Sequence, residues 1–202
     1  MKLDKLKKIK TLYFLIGISI IAFIFGIFFI TILSNKDISI VKDYITTFIT
    51  NIHDKQINFL SILKDTFFSH LIILIIIWLL GISIIGIPII IFFYFFKIFS
   101  LGFALSSFVL TYKIKGLIFS FLYLFPNEII KYFVYTLIVT NSIKISKKII
   151  KSIMKKETID FHVLLKKYTK ILIISIIIIF ISVIYETFAI PYIFDKLYFL
   201  VK

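Results

Sequence analysis

Charge is absent from Leu71 to Phe96, and after a lone Lys97 it is absent again from Ile98 to Tyr112. A helix rises about 1.5 Å per residue, so about 20 residues cross a bilayer core. This block is long enough to cross, turn back and cross again. The predicted turn lies in Gly81-Ile82-Ser83-Ile84-Ile85-Gly86-Ile87-Pro88. Glycine and proline at such depth predict a broken or re-entrant segment, a backbone tolerated only where protein or a cavity covers it.

The other apolar runs complete a set of about five transmembrane helices, at residues 11–33, 67–90, 91–112, 116–139 and 171–193. Lys113 and Lys115 mark the turn before the fourth. The first run follows a basic start, as in a signal peptide. Leu12–Leu33 is longer than a signal core and lacks a small-x-small cleavage site, so a retained span is expected.

Between the first two spans the pattern changes. In residues 34–66, Val41, Tyr44, Ile45, Phe48, Ile49 and Ile52 recur at steps of three and four. An amphipathic helix is predicted there, with Asp37 as its N-cap. It lies on the outer leaflet or against the spans. Its apolar face either meets a partner or packs on its own bundle, and the second is the simpler expectation.

Composition agrees. The chain is 61% hydrophobic, too apolar for a soluble domain of this length. The predicted class is an all-α polytopic integral membrane bundle forming a single membrane domain, residues 1–202, with no room for a separate soluble enzyme. All 24 basic residues are lysine, and with the abundant Ile and Phe this suggests an AT-rich bacterial genome. The lack of arginine removes the usual bidentate clamp for phosphate or carboxylate. The lack of cysteine excludes disulfides and thiolate metal sites.

Lysine asymmetry predicts orientation. Five lysines fall in residues 1–10 and nine in 144–170, while 34–66 balances four Lys with four Asp. The N-terminus and the basic loop are therefore expected in the cytoplasm of a bacterial cell. Residues 34–66 and the C-terminus then lie outside the plasma membrane. The basic loop suits anionic membrane lipids, at about 1 kcal/mol per lysine, better than nucleic acid.

Two carboxylates sit in apolar surroundings. Glu128 follows Pro126-Asn127 in the fourth span, and Glu186 precedes Pro191 in the fifth. Lys131 shares a helix face with Glu128, Tyr132 and Tyr135 lie on or near it, and Ser182 is one turn before Glu186. Two readings follow. A polar site inside the bundle binds a cation, proton or lipid group. Alternatively, Glu128 pairs with Lys131 while Glu186 pins packing near the outer interface. The second is favoured, since neither carboxylate has another one turn away. Gly81, Gly86 and the Gly102…Ser106 pair offer small surfaces for close helix packing. The candidate intramembrane polar or partner-contact set is Gly81, Gly86, Pro88, Lys97, Gly102, Pro126, Asn127, Glu128, Lys131, Glu186 and Pro191. His53, His70 and His162 lack ligand spacing, so no metal is expected. No catalytic triad or phosphate-binding loop occurs. No enzyme activity and no cofactor are expected.

The block Trp78-Leu79-Leu80-Gly81-Ile82-Ser83-Ile84-Ile85-Gly86-Ile87-Pro88, followed by Phe96-Lys97-Ile98-Phe99-Ser100-Leu101-Gly102-Phe103, resembles the stage II sporulation protein M family. Phe125-Pro126-Asn127-Glu128 resembles that family's proline-polar step, and Ile184-Tyr185-Glu186-Thr187-Phe188-Ala189-Ile190-Pro191 its closing piece. The resemblance covers about Thr11 to Pro191. It implies a non-enzymatic membrane protein of endospore formation that scaffolds septal wall hydrolases during engulfment. Its implied partners are stage II sporulation proteins D and P, and it carries over no catalytic residue. Asn127, Glu128 and Lys131 make the central span more charged than the sporulation branch leads one to expect. Relatives beside transport genes imply an alternative, a small permease or the membrane partner of a separate ATPase. Broken spans and buried Glu128 and Glu186 suit that class. The sequence leaves the oligomeric state open, a homo-oligomer included.

Overall fold

The computed structural model describes residues 2–53, 59–155, 158 and 160–198. Asp54, Lys55, Lys156 and Glu157, which enter the charge pattern above, lie outside the described residues. So do the side chains of residues 2–9, His53, Phe59, Lys155, Ala189, Ile190, Pro191 and Asp195.

Among the described residues six α-helices follow in order: α1 Lys2–Phe29, ending in a short 3-10 turn Ile30–Ile32, α2 Asn35–His53, α3 Phe59–Ile82, α4 Gly86–Tyr123, α5 Phe125–Lys155 and α6 Phe161–Leu197. No strand occurs among the described residues. The protein is an all-α multi-pass membrane bundle. α1, α3, α4 and α6 each hold a stretch long and apolar enough to cross a membrane. α5, which carries most of the expected fourth span, is more polar and occupies the middle, touching all four. Its Val134, Tyr135, Ile138, Val139 and Ile143 meet Leu15 and Ala22 of α1, Leu74 and Ile77 of α3, Tyr94 of α4 and Ile179 of α6. Lipid tails are as apolar as these side chains, so close packing and internal hydrogen bonds hold such a core together.

Glycine sets the closest crossing. α1 and α4 run parallel, and a Cβ on Gly26 would fall 2.1 Å from the Phe99 carbonyl oxygen, one on Gly102 2.3 Å from that of Phe23. The two backbones touch because neither position has a side chain. Gly102 thus serves close packing, as its spacing suggested, with Gly26 as its counterpart.

The turn expected within Gly81–Pro88 is a tight one at Ser83–Ile85, between the end of α3 and the start of α4. The helix boundary therefore lies inside what the hydropathy pattern assigned to a span ending at residue 90. A turn in such apolar surroundings needs acceptors and donors for its free backbone groups. The longer helices supply them. Ser146 Oγ of α5 donates to the Ser83 carbonyl at 2.7 Å, and Tyr168 OH of α6 donates to the Trp78 carbonyl at 3.1 Å. Gly81 makes room for that tyrosine, and Gly86 lets α4 start against the Leu80 carbonyl. Pro88 falls in the first turn of α4, where its missing N–H has no intrahelical acceptor to lose. Past Ser142, α5 continues to Lys155, about 20 Å of helix, so the α5–α6 hairpin projects as a basic end.

Two further interruptions lie at the opposite end and in the fourth span. Lys113 has φ 55° and ψ −133°, which reverses the chain so that Phe119 returns against Phe108. The returning piece meets α5 at Leu124, next to Pro126, which donates no backbone hydrogen bond. Residues 116–139 are therefore divided between α4 and α5.

α2 lies across this Lys113 end. Ile45 and Ile49 bury against Phe108, Phe119, Tyr123 and Phe194. Tyr44, expected on the same face, is 72% exposed. Its cap also differs: Ser34 Oγ accepts from Asp37 N at 3.3 Å and donates to Asp37 Oδ2 at 2.6 Å. Ser34 is the cap, and Asp37 is its partner through both its backbone N–H and its carboxylate.

Candidate functional site

α5 carries a polar stripe on its inner face. Asn127, Lys131, Tyr135, Ser142 and Ser146 recur at helical spacing, and all are buried. The first two form the charged centre. Lys131 Nζ donates to Glu128 Oε1 at 2.8 Å and to Glu186 Oε2 at 2.7 Å. Asn127 Nδ2 donates to the same Glu186 oxygen at 2.8 Å, and Asn127 Oδ1 accepts from Ser182 Oγ. The Leu124–Pro126 step sets Asn127 and Glu128 at the start of α5, aimed at α6. Lys131 is almost wholly enclosed, its side chain 3% exposed, while the carboxylates reach the bundle surface at 24% and 31%.

Lys97 and Tyr135 extend the cluster. Lys97 Nζ stands 5.8 Å from the Tyr135 ring centroid, and Tyr135 OH bonds His70 Nδ1 at 2.7 Å. Lys97 makes no ion pair among the described residues. It lines a cavity of about 20 Å³ with Glu128, Lys131, Tyr132 and Tyr135, room for one water and no organic ligand. Below it runs an uncharged chain, in which Tyr94 OH meets Ser19 Oγ at 2.8 Å and Thr136 Oγ1 at 2.9 Å.

Depth gives the cluster its weight. Lys97 is near the middle of α4 between the Ser83–Ile85 turn and Lys113. Glu128 and Lys131 share its level, and Glu186 is tied to them. Glu186 stands two residues before the end of the apolar stretch 161–188 of α6. A lone charge at the centre of a membrane helix costs about 2.5–3.5 kcal/mol on insertion scales. Two lysines and two carboxylates gathered here cancel formally, and Lys131 staples α5 to α6.

The expected set is therefore split. Lys97, Asn127, Glu128, Lys131 and Glu186 converge, with Pro126 at the break beside them. Gly81, Gly86 and Pro88 serve the turn at the basic end, and Gly102 serves the α1 crossing. Pro191 lies farther along α6. Sequence reasoning missed His70, Tyr94, Ser19 and the Tyr168–Ser142 contact. The inner stripe of α5 was a readable signal for part of this. Among the described residues no group of three or more His, Asp or Glu could hold a metal ion.

The model of the stage II sporulation protein M family matches residues 14–191. The chain belongs to that family. It is accordingly a sporulation-related membrane protein, and the match spans the Gly81–Pro88 turn, the α1–α4 crossing and the ion-paired cluster alike. No curated protein and no solved structure matches the chain.

Proposed function

We propose that this family member is a non-enzymatic scaffold of endospore formation, holding peptidoglycan-degrading partners at the septal membrane during engulfment. The observation that carries the reading is the family match over residues 14–191. The implied partners are stage II sporulation proteins D and P, with wall hydrolysis on their side. The build of the Lys113 end supports a docking mechanism. α2 is held down by Ile45 and Ile49, so its other face is presented in a fixed orientation. That face shows Lys42, Asp43, Thr47 and Thr50 around an exposed Tyr44. Aromatic residues in polar surroundings are common anchors of protein interfaces. Lysine asymmetry puts this end outside the cytoplasm, where the wall is. Engulfment in a strain lacking the protein tests the reading. Arrest, repeated with a folded Tyr44→Glu variant, is the expected outcome; complete engulfment without the protein contradicts it.

One observation favours a second reading, the membrane component of a transporter. Charged residues at mid-depth beside a proline-broken helix are a device of that class. The small cavity beside Lys97 has room for about one water and not for a larger solute, which weighs against it. Proton- or cation-dependent uptake abolished by Glu128→Gln would favour transport, and unchanged uptake would remove it.

A further inference from the structure

A second concavity has no part in the reading above. It is an open groove of about 660 Å³ between the end of α3 and the start of α6, at the basic end. One stripe of α6 forms its wall, with His162, Lys166, Lys170 and Ile173 at steps of three and four. Trp78 of α3 forms the floor. That floor is rigid: Trp78 stacks on Tyr168 at 5.7 Å between ring centroids, and Tyr168 bonds both Ser142 and the α3 backbone.

The groove is graded along its length. Ile173 lies beyond Lys170 on the side where α6 becomes uncharged, from Ile171 to Tyr185. Lys166 and His162 lie toward the projecting basic hairpin. No carboxylate lines the groove among the described residues. The nearby Asp160 is engaged instead as the α6 N-cap, accepting from Val163 N at 3.0 Å. A cationic rim over an apolar, aromatic floor, where a spanning helix leaves the hydrocarbon, has the polarity of one phospholipid. Basic pockets between helices on the cytoplasmic side suit anionic headgroups.

We propose that this groove seats a single anionic phospholipid, its phosphate between Lys166 and Lys170 and an acyl chain along Trp78 and Ile173. Snorkelling lysine stems let the ammonium groups reach the headgroup level while their methylenes cover the chain. The inference stands apart from the scaffold reading, since either a scaffold or a transporter subunit would carry the groove.

Trp78 is the only tryptophan in the chain, so its fluorescence reports this groove alone. The full-length protein is reconstituted in phosphatidylcholine vesicles holding a minor fraction of brominated lipid, either phosphatidylglycerol or phosphatidylcholine. Brominated phosphatidylglycerol is expected to quench Trp78 several-fold more strongly. The preference should vanish in Lys166→Gln/Lys170→Gln and survive in Lys166→Arg/Lys170→Arg, which keeps the charge. It should also survive in Lys147→Gln/Lys148→Gln, which removes the same charge elsewhere on the basic end. Equal quenching by both lipids in the native protein would overturn the proposal. So would equal loss in the Lys147/Lys148 variant, which would make the effect a general field of the basic end. Abolition by millimolar inorganic phosphate would overturn the lipid as occupant and leave a water-open phosphate site.

Discussion

Lys131 is enclosed and holds two carboxylates at 2.8 and 2.7 Å, so its removal leaves both without their cation in apolar surroundings. Breaking a buried pair from one side costs about 3–5 kcal/mol, while replacing the whole set costs far less. Lys131→Met should lower the melting temperature in detergent markedly, and Lys131→Met/Glu128→Gln/Glu186→Gln should recover most of the loss. A triple variant as unstable as the single one would remove the pairing account. Tyr168→Phe tests the other buried junction. It takes a donor from the α3 end and from Ser142, and a loss of about 1–3 kcal/mol is expected from the same melting measurement. At this scale the sequence was half legible. Glu128 and Lys131 are three residues apart on one helix, and local spacing alone pairs them. Nothing local joins Lys131 to Glu186, because a partner on another helix is a product of packing.

The elements were read best where periodicity acts. The apolar face of α2 was legible, and it docks on its own bundle. Tyr44 was misplaced because it flanks the inward stripe, with Ile45 and Ile49 buried and Val41, Phe48 and Ile52 half-buried, without belonging to it. Ile49→Glu should free α2 while leaving the spans folded. Hydrogen exchange would show it as lost protection confined to residues 35–53, and protection retained there would contradict the docking. The α3–α4 turn was legible from Gly81, Gly86 and Pro88, but its exact place was not, and the spans were divided at residue 90 instead of at 83–85. No charge marks it, and the groups that satisfy its carbonyls, Ser146 and Tyr168, lie far along the chain. The α1–α4 crossing was visible only from the Gly102 side. Gly102→Val must push against the Phe23 carbonyl, so a destabilisation of about 1–3 kcal/mol is expected in a detergent melt.

At the scale of the whole molecule, the most polar long helix is the innermost one, and four apolar helices enclose it. Hydropathy gave the fold class and the outer helices. It blurred α5, whose inner stripe lowers its apolarity for the sake of contacts invisible in one dimension. The two ends differ in character. One carries the lysine-rich α5–α6 hairpin, and the other carries α2, the Lys113 reversal and the end of α6, held by aromatic contacts such as Phe119–Phe194. If the first faces the cytoplasm, reporter fusions after Asn35 and Tyr112 should read as external and one after Lys156 as internal. The opposite pattern would put α2 on the side away from the wall and end its role as a docking face.

The central claim is that this stage II sporulation protein M family member assembles wall-remodelling proteins. It is tested most directly by affinity purification of the tagged protein from sporulating cells of its source, with mass spectrometry of what accompanies it. The account predicts recovery of peptidoglycan hydrolases, and their loss when Tyr44 and Thr47 on the outward face of α2 are changed to Glu. Recovery of an ATPase or a solute-binding protein with no wall enzyme would contradict it.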